Sequence, residues 1–392
     1  MRKFIPLSIP NFEGNEKNYV NDALEQGWVS TGGAYISKLE QQMSDFLQTH
    51  SVAACQSGTS ALHLSLIESG VRPGNVVIVP ALTFIAAVNP VKYQFAQPVF
   101  MDCDDSFCID PIKLNMFCEQ ECVFNEGTLT YKGKMVKALV VVHVFGNMAD
   151  MVSIMEIAHK FNIKVIEDAT EALGTKYIDG LYAEKYAGAI GDFGVFSFNG
   201  NKIITTGGGG AITASASKVV EHLRYLSTQA KNDPHYYIHD EVGYNYRMTN
   251  LQAALGVAQM EELPEFIRRK QANYDVYKKL FDGFELCKLI PFRKGIESNK
   301  WFYSLEIDRT KINVTMREII TALEKREVQT RAIWGLINEQ VPYQGEATYK
   351  LEKAPYYAGR ILNIPSGTQI TVEEIEYVVV QIKEVLGEFS HE

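Results

Sequence analysis

A single lysine stands between an apolar run and a glycine-rich turn. Phe193 to Phe198 reads as a short buried strand, Asn199-Gly200-Asn201 turns the chain, and Lys202 follows at once. The run Gly207-Gly208-Gly209-Gly210 then permits positive φ and close backbone approach. Desolvation there disfavours an ammonium, and a neutral amine attacks carbonyls, so the chemistry suggested is Schiff-base formation. An ordinary solvated loop lysine would read the same in isolation. Asp168 closes Lys164-Val165-Ile166-Glu167 at the carboxyl end of a second buried strand, where open α/β sheets bind ligands. A carboxylate there can pair with a cation such as a protonated pyridine nitrogen, or simply cap a helix. Ser57-Gly58-Thr59-Ser60 turns into a helix, so free amides, the positive helix end and hydroxyls converge as a phosphate cradle or a plain N-cap. Ser197 adds a hydroxyl beside the lysine turn. Phe84, just after a strand, can stack on a flat ring or pack in the core.

These residues need a scaffold, and the chain supplies an α/β rhythm. Helical patterns over 17–26 and 36–49 precede a strand at 52–55 and a helix from 61 to 69. The alternation continues with a strand at 76–79, a helix at 84–95 and a strand at 98–101. Residues 113–137 are less regular. Leu139 to Val144 is valine-rich and broken only by His143, as expected of a strand covered on both faces. Asp150 caps a helix with Ile154, Ile157, Ala158 and Phe161 on one stripe, and 164–166 is the next strand. Alternating strands and helices imply an α/β fold with a mostly parallel central sheet. After about Asn250 the pattern shifts to a long helix over 251–282 containing Pro264, a strand at 301–307, and helices at 316–326 and 373–389. The expected division is a large α/β domain over 1–250 and a smaller α+β domain over 251–392.

Composition narrows the function. The 392 residues are 46% hydrophobic and 22% charged, ordinary for a soluble protein able to bury a large core. A net charge of -9 argues against nucleic acid as a partner, because phosphate backbones need clustered cations. The richest apolar stretch, Val76 to Val88, is interrupted by Pro80 and too short for a membrane span. Six cysteines lack paired metal-ligand spacing and read as free thiols in a reducing cytoplasm, with no metal site expected.

Four motifs in order complete the pattern: Gln56-Ser57-Gly58-Thr59-Ser60-Ala61-Leu62; Glu167-Asp168-Ala169-Thr170-Glu171-Ala172-Leu173-Gly174; Ser197 to Lys202 with Thr205-Thr206-Gly207; and Gly243-Tyr244-Asn245-Tyr246-Arg247-Met248. In these the chain resembles the fold-type-I pyridoxal 5'-phosphate (PLP) aminotransferases of the DegT/DnrJ/EryC1/StrS family, which act on nucleotide-linked keto sugars. The resemblance implies that Lys202 joins the cofactor and moves the proton of the 1,3-shift. It implies that Asp168 partners the pyridine nitrogen, that Ser57, Gly58, Thr59 and Ser197 cradle the phosphate, and that Phe84 stacks. Asn245 would reach the cofactor of a second subunit, implying a homodimer. Glu171 stands where most members have a glutamine that contacts the ring hydroxyl. Phe198 and Gly208 are further departures, and the combination looks most like enzymes that aminate C4 of UDP-linked 4-keto-6-deoxy-N-acetylglucosamine. L-Glutamate is the expected amino donor. GDP- or dTDP-linked keto sugars, a sugar dehydratase (which would replace Lys202 by histidine) and a non-catalytic relative are the alternatives. Candidate contacts to the nucleotide sugar are Trp28, Ser30, Thr31, His239, Arg247, Arg331 and Tyr343.

Overall fold

The computed structural model describes residues 4–49, 51–233 and 235–390. Its central sheet contains β1 (Val52–Cys55), β2 (Val76–Pro80), β3 (Gln97–Met101), β4 (Lys134–Val142), β5 (Lys164–Asp168), β6 (Phe193–Ser197), β7 (Gly210–Ala214) and β8 (Ala347–Tyr349). Their order across the sheet is β1-β7-β6-β5-β4-β2-β3-β8. Every pairing from β6 to β8 is parallel, and β7 alone runs antiparallel to both its neighbours. The expected α/β class with a mostly parallel sheet is the observed one. Because parallel strands are covered by helices on both faces, β2 is buried throughout, and the edge strand β1, whose neighbour in the sheet is the antiparallel β7, is buried as well.

The parallel arrangement puts the carboxyl ends of β4, β5 and β6 side by side, with Val142 opposite Asp168 and Asp168 opposite Val195. Side chains alternate faces along a strand, so Glu167 and Asp168 point opposite ways. Glu167 faces the interior, where its carboxylate accepts the amides of Gly188, Ile190 and Gly191 and pairs with His143 Nε2 at 2.9 Å. That network anchors the loop before β6. Asp168 is left for the other face.

Two elements differ from the sequence expectation. The stretch 84–95 is a single 3-10 turn, Ile85–Ala87, followed by a short helix, Asn89–Tyr93. Pro90 lacks an N–H and belongs in a first turn, so the helix restarts beside it and Phe84 stays extended. The irregular stretch resolves into a helix capped by Asp110 (Pro111–Gln120) and a hairpin, Cys122–Asn125 with Thr128–Tyr131, that leads into β4. Glu126 and Gly127, with φ of 47° and 75°, make its turn.

A second sheet of four strands in three antiparallel pairings, built from Cys287–Leu289, Tyr303–Ile307, Ile361–Ile364 and Arg331–Ala332, carries the smaller core. The helix Asn250–Phe281 serves both bodies. Its Ala253, Val257, Leu263 and Phe266 join the large core, and its Tyr274, Tyr277 and Phe281 join the small one. Ile5 also packs in the small core, while β8 returns to the large sheet. Among the described residues no helix is long and apolar enough to cross a membrane.

At the junction Lys270 is 1% exposed and donates to the carbonyls of Trp301 (2.9 Å) and Ser366 (2.5 Å). Burial pulls its amine down to about 7 from 10.5. Between those two values the unfolded chain holds a proton that the folded chain does not, so folding stability gains with rising pH across that window. Thermal unfolding of the wild type is therefore expected to shift upward from pH 7 towards 10 relative to Lys270→Met. Parallel pH curves for the two proteins would show the lysine to be charged in the fold.

Candidate active site

A cavity of 520 Å³ opens at the carboxyl ends of β4 to β6. Its lining includes Ser57, Gly58, Thr59, Phe84, Asp168, Glu171, Ser197, Lys202 and Arg331. Sequence motifs as far apart as 57 and 331 thus meet at one place. The fold positions each of them by local rules.

Ser57 is the N-cap of the helix Gly58–Glu68, its Oγ accepting the Ser60 amide at 3.0 Å. Helix geometry leaves the amides of Gly58 and Thr59 without intrahelical partners, at the wall of the cavity. A Cβ on Gly58 would meet Ser197 Cβ at 2.9 Å. A Cβ on Gly210 would lie 2.5 Å from the Ser57 carbonyl carbon. Both glycines let the helix start press against β6 and β7, which brings Ser197 beside the free amides. This is a cradle for an anion.

Asp168 is 6% exposed, and its Oδ1 accepts the Thr170 amide at 3.1 Å. Phe84, by contrast, is 54% exposed, so a flat face is available at the cavity mouth. Lys202 Nζ lies 3.6 Å from Glu171 Oε1, with the two side chains 13% and 4% exposed. Glu171 Oε2 accepts the amide of Phe145 at 2.8 Å, a residue held at φ 56°. Burial, the largest influence, raises the Glu171 carboxyl to about 7, and Lys202 and the Phe145 amide oppose that rise. The cavity therefore holds a lysine, two carboxyls in unlike surroundings and an anion cradle. An amine 3.6 Å from a carboxyl able to exchange a proton suits carbonyl condensation.

The other sequence candidates lie outside this cavity. Arg247 pairs with Glu40, which also accepts the Ala54 amide, so the guanidinium is committed to the scaffold. Tyr343 is 1% exposed and donates to Asn89 Oδ1 at 2.6 Å. His239 is exposed, its Nδ1 2.8 Å from the Gln229 carbonyl. Trp28, Ser30 and Thr31 are exposed on a segment whose carbonyls at 28 and 30 bond Asn250. Asn245 is exposed and bridges to Thr228. Conversely Phe145, Trp301, Trp334 and Asn363 line the cavity without having been singled out. No local motif marks them, because each arrives from a distant segment.

The sequence pattern of the DegT/DnrJ/EryC1/StrS aminotransferase family matches residues 10–383. The chain belongs to this family. Among its relatives, the GDP-perosamine synthase of Escherichia coli O157:H7 is 35% identical over 382 residues, covering 97% of this chain and 98% of the relative. The GDP-perosamine synthase of Caulobacter vibrioides is 34% identical over 385 residues, covering 97% and 98%. The solved structure of Helicobacter pylori PseC, an aminotransferase involved in the biosynthesis of pseudoaminic acid, shares the fold with a TM-score of 0.88 at 22% identity, covering 99% and 100%. The enzyme is an aminotransferase, and its cofactor is PLP.

The cavity fits that cofactor, since a phosphate suits the amides of Gly58 and Thr59, and a Cβ on residue 58 would crowd their wall. Gly58→Ala forces Ser197 aside and is expected to weaken PLP binding about tenfold or more. Titration of the PLP absorbance against protein measures this. Unchanged affinity would remove the helix start from the site.

Proposed function

We propose that the enzyme transfers the amino group of L-glutamate to C4 of a nucleotide-linked 4-keto-6-deoxy sugar. The observation that carries this reading is the grouping of Lys202, Asp168, Glu171 and the helix start in one cavity. Gly58, Thr59 and Ser197, with Ser57, would hold the phosphate of PLP. Asp168 would face the ring nitrogen, and Phe84 would lie against the ring. When bound, PLP supplies a carbonyl for an amine and a protonated ring that accepts the electron pair left by a departing proton. Lys202 Nζ would take that proton and return it to the carbon on the far side of the transferred nitrogen, and Glu171 would adjust the charge on Nζ. The tryptophan and phenylalanine side chains of the lining would keep water from the reacting groups.

The sugar nucleotide is read from the relatives. The sequence departures favoured a UDP-linked N-acetylated sugar. Two relatives at 34–35% identity over almost the whole chain are named for a GDP-linked product, which moves the preference to a GDP-linked keto sugar. Arg331, which lines the cavity, would meet the diphosphate or another anionic group of a substrate.

A homodimer belongs to the same proposal. Asn245 and Trp28 are exposed and away from their own cavity, so any role for them in a site requires a second copy. Large apolar side chains exposed in the same parts of the chain, Trp28 at 60% and Val242 at 83%, suit a covered surface. The free cysteines suit a cytoplasmic enzyme.

The test uses purified enzyme with PLP, L-glutamate, and GDP-, UDP- or dTDP-linked 4-keto-6-deoxy sugars in parallel. Release of 2-oxoglutarate matched by amino sugar is expected, with the highest kcat/KM for the GDP-linked compound. Lys202→Ala should lower turnover by about a thousandfold or more. If none of the keto sugars supports release, the proposed acceptor is wrong.

A further inference from the structure

Lys202 Nζ occupies a defined seat. It lies 4.4 Å from the centroid of the Trp301 ring on one side and 3.6 Å from Glu171 Oε1 on another. Both distances fall within the range at which an aromatic face or a carboxylate attracts an ammonium. Trp301 is 3% exposed and belongs to none of the sequence motifs.

Both walls of the seat are held by hydrogen bonds that converge on Asn299. Its Nδ2 donates to the carbonyls of Glu171 (3.1 Å) and Leu173 (2.9 Å), and its Oδ1 accepts the Trp301 amide at 3.0 Å. The Trp301 carbonyl accepts Lys270 Nζ and Ser366 Oγ. The indole Nε1–H donates to the carbonyl of Asn201 at 2.8 Å. Trp301 thus fixes the backbone immediately before Lys202 and faces its amine. Glu171 is oriented separately by the Phe145 amide.

We propose that the Trp301 face and the Glu171 carboxyl form a seat for the Lys202 ammonium, which receives the side chain whenever its nitrogen is not bonded to a carbonyl carbon. This rests on the reading of Lys202 as the imine-forming lysine. Transamination releases that amine in the first half of the reaction and recaptures it only at the end of the second, and a seat keeps it from wandering between the two events. Trp301 is then a positioning residue. The other charged groups of the cavity lining are Asp168, which opposes ionisation of Glu171, and Arg331.

The experiment measures, in cofactor-free full-length protein, the rate at which acetic anhydride acylates Lys202 as a function of pH, read by peptide mass. Other lysines in the same digest are internal controls, and PLP binding is recorded separately by absorbance. Trp301→Leu and Glu171→Gln each remove an attraction for the ammonium. Each should move the Lys202 midpoint downward and raise its acylation at pH 7 on the order of 3- to 30-fold. Trp301→Phe keeps an aromatic face and should lie nearer the wild type than Trp301→Leu. Should the leucine variant not fold, the phenylalanine and glutamine variants carry the comparison. Midpoints that coincide in wild type and variants overturn the seat, as does a rise shared by lysines remote from the cavity. Absence of a PLP absorbance change in the wild type would instead count against the cofactor reading and leave the labelling result intact.

Discussion

A lysine and two carboxyl groups are withdrawn from water at the carboxyl ends of parallel strands, and this sets the demands that the surrounding structure meets. Removing an isolated ion from water costs several kcal/mol even after relaxation. The cost falls only where partners are already oriented when the charge arrives. Here the Thr170 amide meets Asp168, the Phe145 amide meets Glu171, and Glu171 meets Lys202. Each partner is a backbone group or a side chain fixed by its own turn. The Phe145 donation requires left-handed backbone, which is uncommon for an aromatic residue and is held by packing against Trp301, Phe302 and Trp334.

That dependence explains why the second body of the chain belongs to the site. The large sheet alone could present Asp168, Ser197 and the helix start. It has no means of closing the cavity over them. Trp301, Phe302, Arg331, Trp334 and Asn363 come from segments around the smaller sheet. The long helix passes through both cores, and Lys270 near its middle bonds the carbonyls of Trp301 and Ser366. Asn299 bonds both Glu171 and Trp301. Relative movement of the two bodies would break these buried hydrogen bonds, each of which would leave a polar group unpaired. The junction is therefore a structural part of the site.

What the sequence makes legible follows from how local each rule is. Strands and helices of the parallel sheet are readable from apolar runs and periodicity. Ser57, Asp168, Ser197 and Lys202 could be singled out because a strand end or a helix start sits next to each of them in the chain. Phe84 was found for the right strand but on the wrong element, since Pro90 moves the helix start along. The antiparallel β7 was not foreseen, because Gly210-Ala211-Ile212-Thr213 carries no mark of direction. Arg247 and Tyr343 have the chemistry of ligands, yet Glu40 and Asn89 occupy them, and those partners are hundreds of residues away in the chain. Trp301 escaped for the converse reason. Its importance lies in which loop carries Lys202 past it, a fact of tertiary structure.

Glu167 and Glu171 show how the fold separates scaffold from chemistry between residues of one type. Both are buried, and they lie one helical turn's worth of sequence apart. Glu167 receives three amides and His143, which use the roughly four lone-pair positions a carboxylate offers. Its oxygens are taken up by the scaffold, and its use is to hold the 188–191 loop against β5. Glu171 receives one amide and faces an amine at 3.6 Å, so its second oxygen remains open to a proton. Burial without saturation is what lifts its carboxyl to about 7, close to the pH at which a proton can move in either direction at little cost. An amide at this position would keep the shape and the acceptor for Phe145 but could not change charge with Lys202. The carboxyl thus gives the site a degree of freedom that its geometry alone does not require.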